Sequence, residues 1–197
     1  MVSKRNHFGF YYGAKCMKKI IISLLAGLIL FAGSGNVASA KVRIDAVKNG
    51  TFTELSDEDM KDTITALVTE ITSDLQIATV PRLYFYSAKE WPLAASYYPG
   101  IDYIYVNLST FEDSTDADLS NETVEYHLLR IMAHEVRHDF QYEHRLDDSD
   151  YGRACLDGLT NYQSYFKTDK ESYHEQFIES DATQYGIEYA NKYFKKK

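Results

Sequence analysis

Cysteine is scarce in this sequence, with only Cys16 and Cys155 among 197 residues. Because Cys16 falls in a predicted signal segment described below, Cys155 is left alone, and a lone thiol excludes an internally disulfide-bonded scaffold. A reactive cysteine needs a base beside it, and the nearby Asp157 and Gly158 provide none. We therefore expect Cys155 to be an inert thiol.

Basic residues are also few, with 21 Lys and Arg against 29 Asp and Glu. Five of the basic residues lie in the predicted signal segment, so 16 basic and 29 acidic residues remain after it, a formal net charge of −13. Nucleic acids and anionic membranes repel such a surface. We therefore expect neither as a partner.

Long hydrophobic runs are lacking as well. The apolar block Ile20–Ala32 has 13 residues, well short of the ~20 that a membrane-spanning helix needs. It follows a basic stretch and precedes an A-x-A sequence that ends at Ala40, which is the layout of a secretory signal. We predict a signal peptide over residues 1–40, with Met17 as an alternative start, and one domain over residues 41–197. The protein is then secreted, to the medium or the cell envelope, with no membrane association after cleavage.

The rest of the chain alternates between strand and helix patterns. The predicted elements are a strand at 41–47, a helix after a cap at Ser56, a strand at 83–86, a hairpin over 95–107, a helix from a cap at Ser120 or Asn121 towards Arg145, and a helix over 172–194. Residues 147–170 show no clear pattern. A small sheet followed by two long helices predicts a single α+β domain.

The first of these two long helices contains H-E-V-R-H over residues 134–138. His134 and His138 are four residues apart, so both imidazoles lie on one helical face and reach a single zinc ion. Glu135 points about 100° further around the helix, where it can hold a metal-bound water. The motif therefore predicts a zinc site that hydrolyses peptide bonds.

A catalytic zinc site usually has three protein ligands, and the sequence offers two ways to provide the third. His144 would extend the motif to a pattern that resembles the metzincins, except that Gln141 replaces their glycine and no methionine follows His144. The other way is a carboxylate from the last helix, where Glu175 and Glu179 lie four residues apart on one face.

Two motifs together resemble the gluzincin-like zinc metallopeptidase domains, which pair H-E-x-x-H with a glutamate on a later helix. More narrowly, the chain is similar to small bacterial domains with H-E-x-R-H-x-x-Q and a later E-x-D-A, here residues 134–141 and 179–182. The resemblance implies a zincin-like fold. In that fold a small mixed sheet packs on the motif helix and on a C-terminal helix that carries a ligand.

The same resemblance implies the residues of the site. One Zn²⁺ is held by His134, His138 and Glu179. Asp181 is a supporting neighbour of the ligands. The spacing found in better-known gluzincins would instead make Glu175 the ligand and Glu179 its support, so this alternative stays open.

We therefore expect a secreted zinc metallopeptidase that acts on a peptide or protein substrate. A zinc-activated water would attack the peptide bond, and Glu135 would serve as the general base. The alternative is a secreted binding module of the same shape that zinc stabilises and that has no turnover.

Several further residues carry weaker expectations. His127 is expected to pack in the core or beside the ligands rather than to bind the metal. Arg137 is expected to be solvated or salt-bridged rather than to bind substrate. The hairpin that ends at Asn107 is expected to bind an extended peptide. His174 and the tyrosines are unranked candidates for stabilising an oxyanion.

Overall fold

The computed structural model describes residues 44–112, 122–164, 167 and 170–194. They belong to one compact unit, Val42–Lys197. The predicted signal peptide lies outside the described residues and stays a prediction. In the described part of the chain, no helix is both long and apolar enough to cross a membrane.

The described residues form an α+β arrangement of helices around one small sheet. In chain order the labelled elements are α1 (Asp57–Asp74), β1 (Arg82–Tyr86), β2 (Ala95–Tyr98), β3 (Tyr103–Asn107), α2 (Ser109–Glu112), α3 (Val124–His144), α4 (Asp150–Thr160), α5 (Lys170–Glu175) and α6 (Phe177–Tyr193). A 3-10 turn, Phe52–Glu54, precedes α1.

The sheet has the strand order β1-β3-β2. β3 pairs in parallel with β1 and antiparallel with β2, so the sheet is mixed and the predicted hairpin is confirmed. In β3 the side chains of Ile104 and Val106 are fully buried, whereas Tyr103 and Tyr105 on the other face are half-buried. One face of the sheet therefore packs on the core.

The predicted strand at 41–47 is wrong, because residues 44–49 are helical. The alternation of apolar and polar residues there suggested a strand. However, Ile44 and Val47 are both buried, and their spacing of three residues also suits one face of a helix. In a segment this short, a period of two and a period of 3.6 cannot be told apart.

Polar caps determine where two of the long helices begin. Ser56 caps α1 as predicted, since its Oγ accepts a hydrogen bond from the Asp59 N–H at 3.2 Å. The cap of α3 is Thr123, which accepts from the Tyr126 N–H at 3.2 Å. The cap predicted at residues 120–121, outside the described part of the chain, is therefore too early. Thr123 serves because its extended backbone directly precedes the first helical turn.

The helix predicted over 172–194 is instead two helices, separated at Gln176. The backbone of Gln176 is extended, and its side-chain amide pairs with the backbone of Gln163, accepting at 2.8 Å and donating at 2.9 Å. This pairing ends α5 and starts α6. Helix α4, in the stretch that showed no clear pattern, begins at a Ser149 cap that accepts from the Gly152 N–H at 2.9 Å.

Helix α3 lies at the centre of the fold and packs against α1, α4, α6 and β2. It contributes a set of fully or almost fully buried apolar side chains, namely Leu128, Leu129, Met132, Ala133 and Val136. Its closest helical neighbour is α6, because Gly186 of α6 lies against the backbone of Arg130. A Cβ atom at Gly186 would lie 2.4 Å from the Arg130 carbonyl oxygen.

We predict that Gly186→Ala destabilises the protein. Forced separation of packed helices costs about 1–3 kcal/mol, and the helix propensity of alanine offsets at most about 1 kcal/mol. A net loss of roughly 1–2 kcal/mol in the free energy of unfolding is expected by urea denaturation. Ser180→Ala, an exposed position on the same helix, is the control. Unchanged or increased stability of Gly186→Ala would contradict the close approach of α3 and α6.

Candidate metal centre

Three side chains from two helices meet on one side of α3. His134 and His138 lie one turn apart on α3, and Glu179 comes from the first turn of α6. The two histidine Nε2 atoms are 3.1 Å apart. His134 Nε2 lies 3.5 Å from Glu179 Oε2, and His138 Nε2 lies 3.6 Å from Glu179 Oε1. The three residues form a group that could hold a metal ion.

The spacing of these donor atoms fits a small four-coordinate ion. A tetrahedral ion with bonds of about 2.0–2.2 Å places its ligand atoms roughly 3.3–3.6 Å apart. The observed separations are 3.1, 3.5 and 3.6 Å. Glu179 Oε2 is also buried without a hydrogen-bond partner among the described residues. An orphaned carboxylate oxygen is costly unless a cation compensates it, so the donor set fits a metal.

The charges within this group stabilise one another. Burial alone raises the pKa of Glu179, but the imidazoles of His134 and His138, 3.5 and 3.6 Å from its oxygens, lower that pKa well below its usual range. Burial lowers the pKa of His138, but the Glu179 carboxylate beside it raises that pKa to about 9. Glu179 is therefore held as a carboxylate, which is the form that binds a metal.

Glu135 lies beside this group and contacts the sheet. Its Oε2 atom accepts a hydrogen bond from the Tyr97 backbone N–H at 2.6 Å, and 7% of the residue is exposed. One turn further along α3, Asp139 accepts from the Tyr97 hydroxyl at 3.0 Å. Burial raises the pKa of Asp139 to about 7, although the bond from Tyr97 lowers it. Tyr97 thus joins β2 to α3 at two points, and sequence reasoning did not identify it.

Asp181, the expected supporting neighbour of the ligands, lies at the centre of a hydrogen-bond network. Its carboxylate accepts hydrogen bonds from the Arg137 guanidinium at 2.9 and 3.1 Å, from Gln141 Nε2 at 2.8 Å and from the Tyr151 hydroxyl at 2.9 Å. It reaches His138 through Gln141, whose Oε1 lies 2.9 Å from His138 Nδ1. Arg137 is therefore salt-bridged, which is one of the two environments predicted for it.

The alternative third ligands lie apart from the group. His144 stacks on Phe140, and its Nδ1 lies 2.9 Å from the Phe140 carbonyl oxygen. Glu175 is exposed at the end of α5. Within the described ranges, neither residue belongs to the metal-binding group. The structure therefore brings Glu179, rather than His144 or Glu175, to the two histidines.

The remaining candidates have ordinary positions. His127 is buried, and its ring packs against Phe111 in the core, as predicted. His174 is exposed next to Tyr173. Cys155 is buried, and burial raises the pKa of its thiol, as expected for a thiol without a reactive role.

Two tyrosines that sequence reasoning did not single out lie beside the group. The hydroxyls of Tyr162 and Tyr173 are 3.5 Å apart. Burial and the adjacent Glu179 carboxylate raise the pKa of Tyr173, which keeps its phenol protonated. For Tyr162, burial is the main cause of a raised pKa, and the charges of Glu179 and Glu135 contribute. No local signal marked either residue, because their approach depends on how α4 and α5 pack against α6.

No protein-family model, no curated protein and no solved structure matches this chain. The support for the metal-binding group is therefore the arrangement of His134, His138 and Glu179 in this structure.

We predict that Glu179→Gln weakens binding of a divalent transition-metal ion by more than about 100-fold, since it removes an anionic ligand. At about 100 times the dissociation constant, a bound ion stabilises the native protein by ~2.7 kcal/mol, or roughly 5–10 °C in Tm. Wild-type protein should show this shift on addition of the metal, and Glu179→Gln should not. Glu175→Gln is the matched control and should behave as wild type. If only Glu175→Gln lost the increase in Tm, then Glu175 rather than Glu179 would be the metal ligand.

Proposed function

We propose that this protein is a zinc-dependent metallopeptidase of the gluzincin type, with a zincin-like fold. The observation that supports it most directly is the placement of Glu135. Its carboxylate is held by the Tyr97 N–H, immediately beside a group of two imidazoles and one buried carboxylate. Three protein ligands with an adjacent carboxylic base are the parts that metal-assisted peptide hydrolysis requires.

The chemistry of the donors favours zinc. Two imidazole nitrogens and one carboxylate oxygen suit a borderline-soft ion better than Mg²⁺ or Ca²⁺, which prefer oxygen ligands. His134, His138 and Glu179 would hold the ion. When bound, zinc acidifies a water molecule and polarises a carbonyl group.

The residues of the chain perform the proton transfers. Oε2 of Glu135 is occupied by the Tyr97 N–H at 2.6 Å, so Oε1 is the atom that takes up the proton of the attacking water. The same oxygen then delivers this proton to the leaving amine. Burial of Glu135, at 7% exposure, limits competing solvent around that oxygen. The Tyr173 phenol, protonated beside Glu179, is a donor for the oxyanion that develops on the substrate.

The edge strand β2 offers a place for an extended peptide. The Asn107 N–H donates to the Ala94 carbonyl oxygen at 2.8 Å, so the alternation of antiparallel pairing turns the polar groups of Ala95 and Tyr97 away from β3. Glu135 occupies the Tyr97 N–H. The Ala95 N–H and both carbonyl oxygens are therefore available for strand addition next to the metal-binding group.

We predict that Glu135→Gln retains zinc but reduces peptide cleavage by about 10²–10⁴-fold, since the amide cannot accept the proton. Zinc content is measured by metal analysis, and cleavage by mass spectrometry of a digested peptide library. Glu143→Gln, an exposed position on the same helix, is the control. If Glu135→Gln cleaves as well as the parent, Glu135 is not the base. If zinc-loaded parent protein cleaves no peptide, the alternative of a zinc-stabilised secreted binding module replaces the peptidase.

We predict that Tyr173→Phe, assayed with zinc bound, lowers kcat by about 10²-fold or more, because an oxyanion donor is lost. Steady-state kinetics on a cleaved peptide measure the effect. Tyr84→Phe, on the exposed face of the sheet, should have wild-type kinetics. A normal kcat for Tyr173→Phe would remove Tyr173 from the reaction.

A further inference from the structure

Gln141 is a fully buried polar residue that the proposed reaction does not use directly. It lies one turn after His138 on α3, at the position where the metzincin pattern has glycine. All of its amide atoms have partners. Oε1 lies 2.9 Å from His138 Nδ1, while Nε2 donates to the Ile178 carbonyl oxygen at 2.9 Å and to Asp181 Oδ2 at 2.8 Å.

These partners determine the orientation of the amide. A backbone carbonyl and an ionised carboxylate only accept hydrogen bonds, so the NH₂ group of Gln141 must face Ile178 and Asp181. Its Oε1 atom then faces His138 and can only accept. His138 Nδ1 must therefore carry a proton, which leaves the lone pair of the neutral imidazole on Nε2. Nε2 is the atom that faces His134 and Glu179.

Asp181 is held just as firmly as the amide it orients. The Arg137 guanidinium donates two hydrogen bonds to it, and Tyr151 donates a third. Arg137 itself lies over the rings of Phe140 and Tyr185, at 4.5 and 5.2 Å from their centroids. A flipped amide would lose both bonds from Nε2 and place Oε1 against the Asp181 carboxylate.

Among the described residues, His134 has no comparable support. Its Nδ1 atom lies 3.4 Å from Thr183 Oγ1, near the outer limit for a hydrogen bond. A threonine hydroxyl also rotates and can donate or accept, so it does not select a tautomer. The two histidines are therefore held unequally, and His138 is the one with an imposed tautomer.

We propose that Gln141 is a positioning residue that fixes the tautomer and ring plane of His138, and thereby sets the affinity of the site for zinc. This inference rests on the proposed metal site but not on peptide cleavage. It also gives Gln141 a positive role at the position where the metzincin motif needs a helix-breaking glycine.

The test compares Gln141→Met, which keeps a similar volume without hydrogen bonds, with the matched control Thr183→Val. Zinc dissociation constants come from competition with a chelator, and the stability of the metal-free proteins from thermal unfolding. Loss of an outer partner of a ligating histidine raises the dissociation constant by about 10–100-fold. We expect this increase for Gln141→Met and a much smaller one for Thr183→Val. A purely structural role would lower the Tm of metal-free Gln141→Met and leave its zinc affinity unchanged, which would overturn the proposal.

A second measurement is independent of zinc. Nitrogen-15 shifts of His138 in metal-free protein, followed upward in pH until the imidazole is neutral, report which ring nitrogen carries the proton. The wild type should show the Nδ1–H form, and Gln141→Met should show a mixture of both forms. An Nε2–H form in the wild type overturns the proposal. A wild-type protein could also show the Nδ1–H form and yet bind no zinc. That result would refute the proposed metal site and the effect of Gln141 on affinity. The tautomer fixed by Gln141 would still be established.

Discussion

The buried carboxylate of Glu179 is the constraint on which the rest of the structure depends. Only 2% of this residue is exposed, and removal of a carboxylate from water costs on the order of several kcal/mol unless other charges compensate it. His138, whose pKa Glu179 raises to about 9, provides that charge in the metal-free protein. Helix α6 must therefore lie against α3 at this height, and Gly186 lets the two backbones come close.

Helix α3 distributes its polar side chains over three directions. His134 and His138 face Glu179, Glu135 and Asp139 face Tyr97 on β2, and Arg137 and Gln141 face Asp181 on α6. These directions follow from the helical period of 3.6 residues. One helix therefore holds the metal-binding group, the adjacent base and the network behind His138 in a fixed relation, and its apolar side chains anchor all three in the core.

The sequence predicted the parts of this site that depend on local spacing. Two histidines four residues apart on a helix must share one face, so the pairing of His134 and His138 could be predicted from the sequence alone. Glu179 needed a resemblance to known domains, because residues on separate helices are related only by tertiary packing. Tyr97 is 38 residues from Glu135 in sequence, and its contribution is a backbone N–H that every residue except proline possesses. The break at Gln176 was likewise invisible, since it depends on a contact with the distant Gln163.

The hydrogen bond between Glu135 and the Tyr97 N–H has a consequence for solubility. β2 ends the sheet on one side, and an exposed sheet edge is a template on which another chain can add a strand and begin to aggregate. Glu135 occupies the Tyr97 N–H of that edge, so an incoming strand finds fewer open backbone groups than a bare edge would offer. The residue proposed to carry the proton during hydrolysis therefore also shortens the open edge to a length that suits one extended peptide.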